Sequence, residues 1–278
     1  MTARVLRILG DRLLLDVDGK NVEAFARGRL RRSGPEILAG DQVRVVDGLV
    51  SEVLPRHNRL PRPAVANVDC TVLVTSLVAP HVPLLDCDRL IVAAMEAATK
   101  IVIVLTKGDL LTASERDAFC HHYGSAGFPM FITSRDGEGI ADLPGHLEGG
   151  VAVLAGASGV GKSTLAERLS GQPLHTAEVS RIGRGRHTTR QAHLLRAGRG
   201  FLVDTPGFSA LLLSIPPGMV ATGFPEFGEC DCRFADCRHR HEPGCGVRAA
   251  AKSGTMPAAR YENYLRILDE AEEGFRAW

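Results

Sequence analysis

The sequence predicts an α/β domain with a mostly parallel sheet, preceded by a small all-β barrel and followed by a metal-binding, mainly helical module. Three observations support this fold class. Short strand patterns with Asp-Gly turns fill the first part of the chain. Buried strands alternate with amphipathic helices in the middle part. Four cysteines crowd together near the end, from Cys230 to Cys245. The expected domains are residues 1–60, 64–215 and 216–278.

The composition is that of an ordinary globular protein. Of 278 residues, 45% are hydrophobic and 23% are charged, and the net charge is +1, so charge alone indicates no class of partner. We find neither an apolar run of membrane-spanning length nor a signal-peptide core after Met1. We therefore expect a cytoplasmic protein without a membrane partner. We also expect a monomer.

Five short strand patterns predict the barrel, and an OB-fold is the closed barrel that best suits them. The strands are expected at residues 5–9, 12–17, 22–27, 43–46 and 49–54, with hairpin signals at 18–19 and 47–48. Residues 56–63, which hold two prolines and three arginines, predict a linker.

Positive charge is concentrated in the barrel. Residues 1–66 carry twelve Arg or Lys against eight Asp or Glu, and four arginines fall where a long barrel loop is expected: Arg27, Arg29, Arg31 and Arg32. This cluster suits an RNA-facing surface. An ordinary solvated loop is an equally open interpretation, because Phe25 is the only aromatic residue of the stretch.

The middle part alternates strands with helices. Strands are predicted at residues 71–75, 101–105, 130–133, 151–155 and 201–203, and helices at 86–99 and 113–123. Thr112 and Glu115 form a capping-box pattern that should start the second helix, and Gly124 should close it.

The strand at 151–155 runs into a glycine loop with the spacing G-x-x-x-x-G-K-S. Glycine at both ends lets backbone N–H groups converge on phosphate oxygens without Cβ atoms in the way. Lys162 would contact the β- and γ-phosphates, and the Ser163 hydroxyl would bind Mg²⁺. The predicted phosphate-binding residues are Gly156, Ala157, Ser158, Gly159, Val160, Gly161, Lys162, Ser163 and Thr164.

Two further segments suit the γ-phosphate and its metal ion. The strand at 201–203 leads into a D-x-x-G motif, in which Asp204 would hold Mg²⁺ through water and the Gly207 N–H would meet the γ-phosphate. The glycine-rich stretch 183–190 carries two adjacent threonines, Thr188 and Thr189. One of them could complete the Mg²⁺ shell only when the γ-phosphate is present, which predicts a switch loop.

A loop for the base precedes these segments. Thr106, Lys107 and Asp109 form T-K-x-D after a predicted buried strand, similar to the guanine-reading N-K-x-D motif. The Asp109 carboxylate can accept hydrogen bonds from N1–H and the exocyclic amine of guanine, whereas adenine offers no such pair. The Lys107 stem would lie along the base. Thr133 and Ser134 match the companion loop, whose backbone N–H meets guanine O6. We therefore expect GTP and GDP as the bound nucleotides.

These motifs stand in rotated order, because the base loops at 106–109 and 133–134 precede the phosphate loop at 156–163. Such a circular permutation of the Ras-like order is tolerable where domain termini lie close together. Over its whole length the chain resembles the RsgA family of small-subunit-dependent ribosomal GTPases, most specifically at 63–69, 156–163, 185–189 and 204–208. The resemblance implies a GTPase that binds the small ribosomal subunit and its rRNA in late maturation. It also implies that the subunit stimulates hydrolysis and that hydrolysis times release.

The resemblance also bears on individual site residues. It favours Thr189 over Thr188 as the Mg²⁺ ligand, although the residues alone do not separate them. The family usually has Asn at the position of Thr106. We therefore expect a lost contact between the base loop and the phosphate loop, and weaker guanine binding.

The catalytic water lacks its usual partner in this sequence. Ras-like proteins place a glutamine after D-x-x-G, but this chain has Phe208 there, as its family does. His187 is our candidate for orienting the water, acting with Lys162 and Thr189. A role for His187 in partner binding or in capping the loop is equally open.

Residues 179–203 hold six arginines and no acidic residue. A solvated face is the ordinary explanation, and a grip on RNA phosphates is the one we favour. The six are Arg181, Arg184, Arg186, Arg190, Arg196 and Arg199.

The tail carries a complete tetrahedral ligand set, three sulfurs and one nitrogen, whose spacing matches the zinc motif of the family. The ligands are Cys232, Cys237, His239 and Cys245. A closed set leaves no position for water, so one structural Zn²⁺ is expected. Cys230 and His241 are interpreted as bystanders. Because aromatic residues are scarce nearby, zinc removal should unfold the tail.

The end of the chain predicts a helix over residues 257–278. Its packing face comprises Tyr261, Tyr264, Leu265 and Leu268. Three cations are candidates for RNA contact, namely Arg248, Lys252 and Arg260. The remaining cysteines, Cys70, Cys87 and Cys120, are expected in buried positions.

Two rival functions stay open beside a GTP-timed ribosome-binding protein. Because D-x-x-G lies near the end of the α/β domain, its switch would lead directly into the zinc module, which favours the timed protein. A zinc-bearing nucleotide kinase would need an acceptor pocket and has no use for a guanine-reading loop. A passive RNA-binding protein would use GTP only as structural support.

Overall fold

The computed structural model describes residues 1–61, 64–97, 99–147, 149–172, 192–204 and 215–276. Five strands close the N-terminal barrel in the order β1-β2-β3-β5-β4, with β3 parallel to β5 and the other pairs antiparallel. The strands are β1 (Thr2–Leu9), β2 (Arg12–Val17), β3 (Lys20–Ala26), β4 (Gln42–Val46) and β5 (Leu49–Val53). Alternate side chains such as Val5, Leu15 and Val50 point inward and form the barrel core. The OB-like barrel is confirmed.

One expectation at the edge of the barrel is wrong. The arginine cluster does not lie on a long loop, because a short helix α1 (Gly28–Ser33) forms directly after β3. The predicted linker contains a short strand, β6 (Arg59–Pro61), which pairs with β7 (Ala64–Ala66). The Arg56 guanidinium also donates to both carboxylate oxygens of the fully buried Asp41, at 2.6 and 2.8 Å. The connection is therefore packed against the barrel.

A six-stranded sheet forms the middle of the molecule in the order β10-β9-β8-β11-β13-β12. Five strands are parallel, and β12 at the edge is antiparallel to β13. The strands are β8 (Cys70–Thr75), β9 (Lys100–Leu105), β10 (Met130–Ile132), β11 (Val151–Ala155), β12 (His193–Ala197) and β13 (Gly200–Asp204). All five predicted strands are present, and β12 is additional.

Four helices follow strands of this sheet. They are α2 (Leu84–Glu96), α3 (Ala113–Gly124), α4 (Leu143–His146) and α5 (Lys162–Ser170). The capping box at α3 is confirmed, because the Thr112 hydroxyl accepts from the Glu115 N–H and the Glu115 carboxylate accepts from the Thr112 N–H. Gly124 is the last residue of α3 rather than the residue after it.

The tail consists of 3-10 turns at Pro217–Gly223 and Pro225–Glu229, followed by α6 (Gly246–Ser253) and α7 (Ala258–Arg276). Tyr264 and Leu268 are buried, so the packing face of the terminal helix is confirmed. Aromatic residues are not scarce around the ligand loop, contrary to expectation. Phe224, Phe227 and Tyr264 pack together with ring centroids 4.9 to 5.4 Å apart, within a larger apolar cluster.

Arg260 does not face RNA, contrary to expectation, because it is 0% exposed. Its guanidinium donates to Asp88 of α2 at 2.5 Å and to Glu226 at 2.7 Å, and it lies 4.3 Å from the ring centroid of Phe224. Burial alone would lower the pKa of Arg260, but the two carboxylates raise it. The residue therefore joins the tail to the sheet domain as a charged group, and loss of one member would leave an unpaired buried charge.

The burial of the remaining predicted side chains is also given by the structure. Arg248 and Lys252 are exposed. Cys70 and Cys87 are buried, whereas Cys120 is half-buried. No helix within the described ranges combines the length and the apolar character needed to cross a membrane.

Candidate nucleotide and metal sites

The predicted base and phosphate loops lie at one edge of the sheet. Parallel strands present their carboxyl ends on the same side, and the loops after β9, β10 and β11 all start there. Residues 106–109, 133–134 and 156–161 are consequently neighbours, although they are far apart in sequence. β13 ends at Asp204 on the same edge.

The phosphate loop is a tight backbone turn between β11 and α5. Gly156 has φ +148°, and a Cβ there would collide with the carbonyl oxygen of Val74. Gly161 has φ +105°, a conformation that side-chain-bearing residues rarely adopt. The Lys162 ammonium donates to the carbonyls of Gly156 and Ala157 at 2.8 and 2.6 Å, and its partial burial lowers its pKa. Its charge therefore lies at the centre of the loop.

Thr106 joins the base loop to the phosphate loop, so the expected loss of that contact is wrong. The buried Thr106 hydroxyl lies 2.6 Å from the carbonyl oxygen of Val160 and 3.0 Å from that of Thr75. A hydroxyl carries one proton, whereas the amide of Asn carries two. Thr106 thus keeps the connection with a single donor shared between two acceptors.

The two base loops are held together by backbone hydrogen bonds. The Gly108 N–H donates to the Thr133 carbonyl at 2.9 Å, and the Thr133 N–H donates to the Leu105 carbonyl at 2.8 Å. A Cβ on Gly108 would collide with the Ile132 side chain, so glycine is required at this close approach. Lys107 adopts φ +59°, and its ammonium donates to Ala79 and to Gly159, the latter at 3.4 Å. The base loops therefore also contact the phosphate loop.

An open cavity of about 480 Å³ lies beside the base loops. It is lined by Asp109, Ser134, Arg135, Asp136 and Glu138. The Ser134 hydroxyl donates to the Asp136 carboxylate, which lowers the pKa of Asp136. Asp136 and Glu138 are not among the predicted site residues, and their position within four residues of Ser134 is the one sequence signal that marks them.

Several predicted residues lie outside the described part of the chain. These are His187, Thr188, Thr189, Gly207 and Phe208, together with the side chain of Asp204. Four of the six predicted RNA-gripping arginines also lie outside it, namely Arg181, Arg184, Arg186 and Arg190. Arg196 is described, and it forms an ion pair with Asp16 of the barrel. Because Asp16 already pairs with the guanidinium, Arg196 is not available for RNA phosphates as expected.

The predicted metal ligands converge in the tail. One ligand atom from each of Cys232, Cys237, His239 and Cys245 lies within 4.8 Å of the others. His239 Nδ1 is 3.5 Å from Cys232 Sγ and 3.6 Å from Cys245 Sγ. Three sulfurs and one imidazole nitrogen suit Zn²⁺. Cys230 and His241 do not belong to this group.

Backbone contacts outside the ligand set fix the ligand loop. The Tyr261 hydroxyl donates to the His239 carbonyl at 2.7 Å, which ties the loop to α7. The Glu242 carboxylate accepts from the N–H groups of Arg238, Arg240 and His241 at 2.9 to 3.0 Å. Backbone hydrogen bonds lower the pKa of Glu242 to about 2. The loop is thus held in shape from two sides.

Comparison with known proteins agrees with this geometry. The model of the RsgA GTPase family matches residues 53–214. A protein of Enterococcus faecalis named small ribosomal subunit biogenesis GTPase RsgA is 40% identical over 92% of this chain and 90% of the relative. A Listeria monocytogenes protein named small ribosomal subunit biogenesis GTPase RsgA 1 is 36% identical over 97% of both chains.

Two solved structures share the architecture of nearly the whole chain. YjeQ from Thermotoga maritima matches with a TM-score of 0.82 at 32% identity, covering 97% of this chain and 98% of that one. YloQ, described as a circularly permuted GTPase, matches with a TM-score of 0.83 at 28% identity, covering 98% and 95%. Sequence and structure lead to the same assignment. The chain belongs to the RsgA GTPase family.

Proposed function

We propose that the protein is a GTPase that binds the small ribosomal subunit and its rRNA during late maturation, in the cytoplasm and as a monomer. On this proposal the subunit stimulates hydrolysis, and hydrolysis times release of the protein. One observation carries the GTPase assignment: the T-K-x-D loop contacts the phosphate loop through Thr106 and Val160. The loop predicted to bind the base and the loop predicted to bind the phosphates therefore belong to one site. The relatives' names supply the small subunit as the partner.

The base loops would select guanine. Asp109 borders the open cavity, where its carboxylate can accept from guanine N1–H and from the exocyclic amine. The Lys107 stem would lie along the base, with Thr133 and Ser134 on the side of O6. Adenine would leave the Asp109 charge unpaired.

The phosphate loop would position GTP for attack by water. Lys162 and the loop N–H groups stabilise negative charge on the β- and γ-phosphates. Ser163, Thr189 and Asp204 would hold Mg²⁺, which neutralises charge that develops on the phosphate oxygens. His187 would orient the water, whose oxygen bonds to the γ-phosphorus as the bond to the β–γ bridging oxygen breaks. The products are GDP and inorganic phosphate.

Basic surfaces on both flanks suit a ribosomal partner. Arg27 and Arg32 lie on the barrel, and Arg248 and Lys252 lie exposed on or beside α6. Phosphate backbone attracts such groups without regard to sequence. The guanine-reading loops favour this function over a nucleotide kinase. Membership of a GTPase family disfavours a passive RNA-binding protein.

The assignment is tested by GTP turnover with and without ribosomal subunits. Small subunits should raise kcat by at least about 10-fold, which corresponds to about 1.4 kcal/mol of activation barrier. Large subunits are the matched control and should have no effect. The protein should also co-sediment with small subunits in a non-hydrolysable GTP analogue and dissociate in GDP. Measurable turnover that neither subunit changes would contradict the proposed timing role.

Thr106→Val should weaken GDP binding by about tenfold, because it removes a buried hydroxyl and leaves the Val160 carbonyl without a donor. Isothermal calorimetry measures the change. Thr106→Ser keeps the hydroxyl and is the control, with affinity expected near that of the unmodified protein. If Thr106→Val binds GDP as tightly as Thr106→Ser does, the hydrogen bond does not support the site.

Chelation of zinc should disorder residues 230–245 and leave α7 folded. The ligand loop depends on the metal, whereas α7 is held by Arg260 and the aromatic cluster. Hydrogen exchange read by mass spectrometry distinguishes the two regions. Cys237→Ser should reproduce the effect of the chelator, and Cys230→Ser should not. Protection of the ligand loop that survives chelation would refute a structural zinc.

A further inference from the structure

The hairpin formed by β12 and β13 connects two segments that the proposed reaction uses. It follows the predicted switch loop, residues 183–190, and it ends at Asp204, where His193 and Asp204 are cross-strand partners. β13 also pairs with β11, the strand that leads into the phosphate loop. The position of this hairpin therefore sets the position of the Asp204 backbone.

The barrel is attached to this hairpin by a charged contact. Arg196 on β12 pairs with Asp16 on β2, and its guanidinium is also 3.4 Å from the Asn21 amide oxygen on β3. The Asp16 side chain is 17% exposed and that of Arg196 is 37% exposed, so the pair is shielded from water mainly on the carboxylate side.

An aromatic ring lies at the centre of the same contact. Phe201 is the cross-strand partner of Arg196 and is 7% exposed. The guanidinium groups of Arg196 and of Arg4, from β1 of the barrel, each lie 5.5 Å from its ring centroid. Such cation–π contacts are strengthened by burial. Arg4 of the barrel and Arg196 of the hairpin therefore both contact the Phe201 ring.

The Asp16 carboxylate supplies negative charge close to both guanidinium groups. Burial lowers the pKa of Arg4, and Asp69 and Asp16 oppose that shift. Without Asp16, two guanidinium groups would share Phe201 with less counter-charge, which disfavours the close packing of barrel and hairpin. Leu6 of the barrel also packs with Leu194 and Val203 of the hairpin, so the surfaces are otherwise complementary and apolar.

We propose that Arg196 is a positioning residue for GTP hydrolysis, through which the barrel holds β13 and the Asp204 at its end in place. The inference rests on the proposed GTPase function. On this inference Arg196 binds the barrel and not RNA. The barrel then contributes to GTP hydrolysis as well as to partner binding. Nucleotide affinity should depend on it little, because the base loops are built on β9 and β10, with Thr106 contacting the phosphate loop directly.

The test compares steady-state kinetics of four proteins: unmodified, Arg196→Ala, Asp16→Asn, and the double variant. We expect each single variant to lower kcat by about 10-fold, which corresponds to about 1.4 kcal/mol of activation barrier. The KM for GTP should stay within about twofold, and half-saturation by Mg²⁺ should move to higher concentration. The double variant should be no worse than either single one. Asp16→Asn keeps the side-chain shape, so it serves if Arg196→Ala is unstable.

Arg44→Ala provides a matched control, because Arg44 forms an exposed ion pair with Glu52 on the barrel at 2.9 Å. Its kcat and Mg²⁺ dependence should equal those of the unmodified protein. The inference is overturned if Asp16→Asn folds and keeps both quantities unchanged, or if the two single effects multiply in the double variant. Absence of GTP turnover in the unmodified protein would instead overturn the proposed function.

Discussion

Five parallel strands present their carboxyl ends at one edge of a sheet, and the proposed nucleotide site depends on that geometry. The order of the strands in space, not their order along the chain, decides which loops become neighbours. Base loops that come first in sequence can therefore lie beside a phosphate loop that follows them. The Thr106–Val160 hydrogen bond makes this neighbourhood a direct contact.

Both flanking modules are fixed to the sheet domain by arginines that contact aromatic rings. In the tail, Arg260 pairs with Asp88 of α2 and stacks on Phe224. In the hairpin, Arg196 pairs with Asp16 of the barrel and lies over Phe201. The two contacts lie on different elements, α2 and the β12–β13 hairpin. A partner that binds the barrel or the tail would therefore act on different parts of the sheet domain. Among the described residues, the barrel contact lies on the hairpin that ends at Asp204.

Features that depend on local spacing could be predicted from the sequence. The five barrel strands, the glycine loop, the capping box at Thr112 and the metal ligands all follow from residues that are near in sequence. Features that depend on distant contacts could not. The burial of Arg260 requires carboxylates 34 and 172 positions away, and no periodicity indicates them.

The contact made by Thr106 is another feature that local spacing could not predict. Comparison with N-K-x-D predicts a lost contact, because threonine lacks the side-chain amide of asparagine. The structure keeps the contact because the β9 end approaches Val160 closely enough for a hydroxyl, with Gly161 leaving room beside the Thr106 side chain. The expected RNA contact of Arg196 failed for a related reason, because Asp16, which pairs with Arg196, is 180 positions away.

The central claim is that loops in rotated order build one pocket that selects guanine. Calorimetric titration with GDP and with ADP tests it most directly, because both nucleotides share the phosphates and differ only in the base. The account predicts that GDP binds at least about 100-fold more tightly, since adenine leaves a carboxylate unpaired. Equal affinity for the two nucleotides would contradict it.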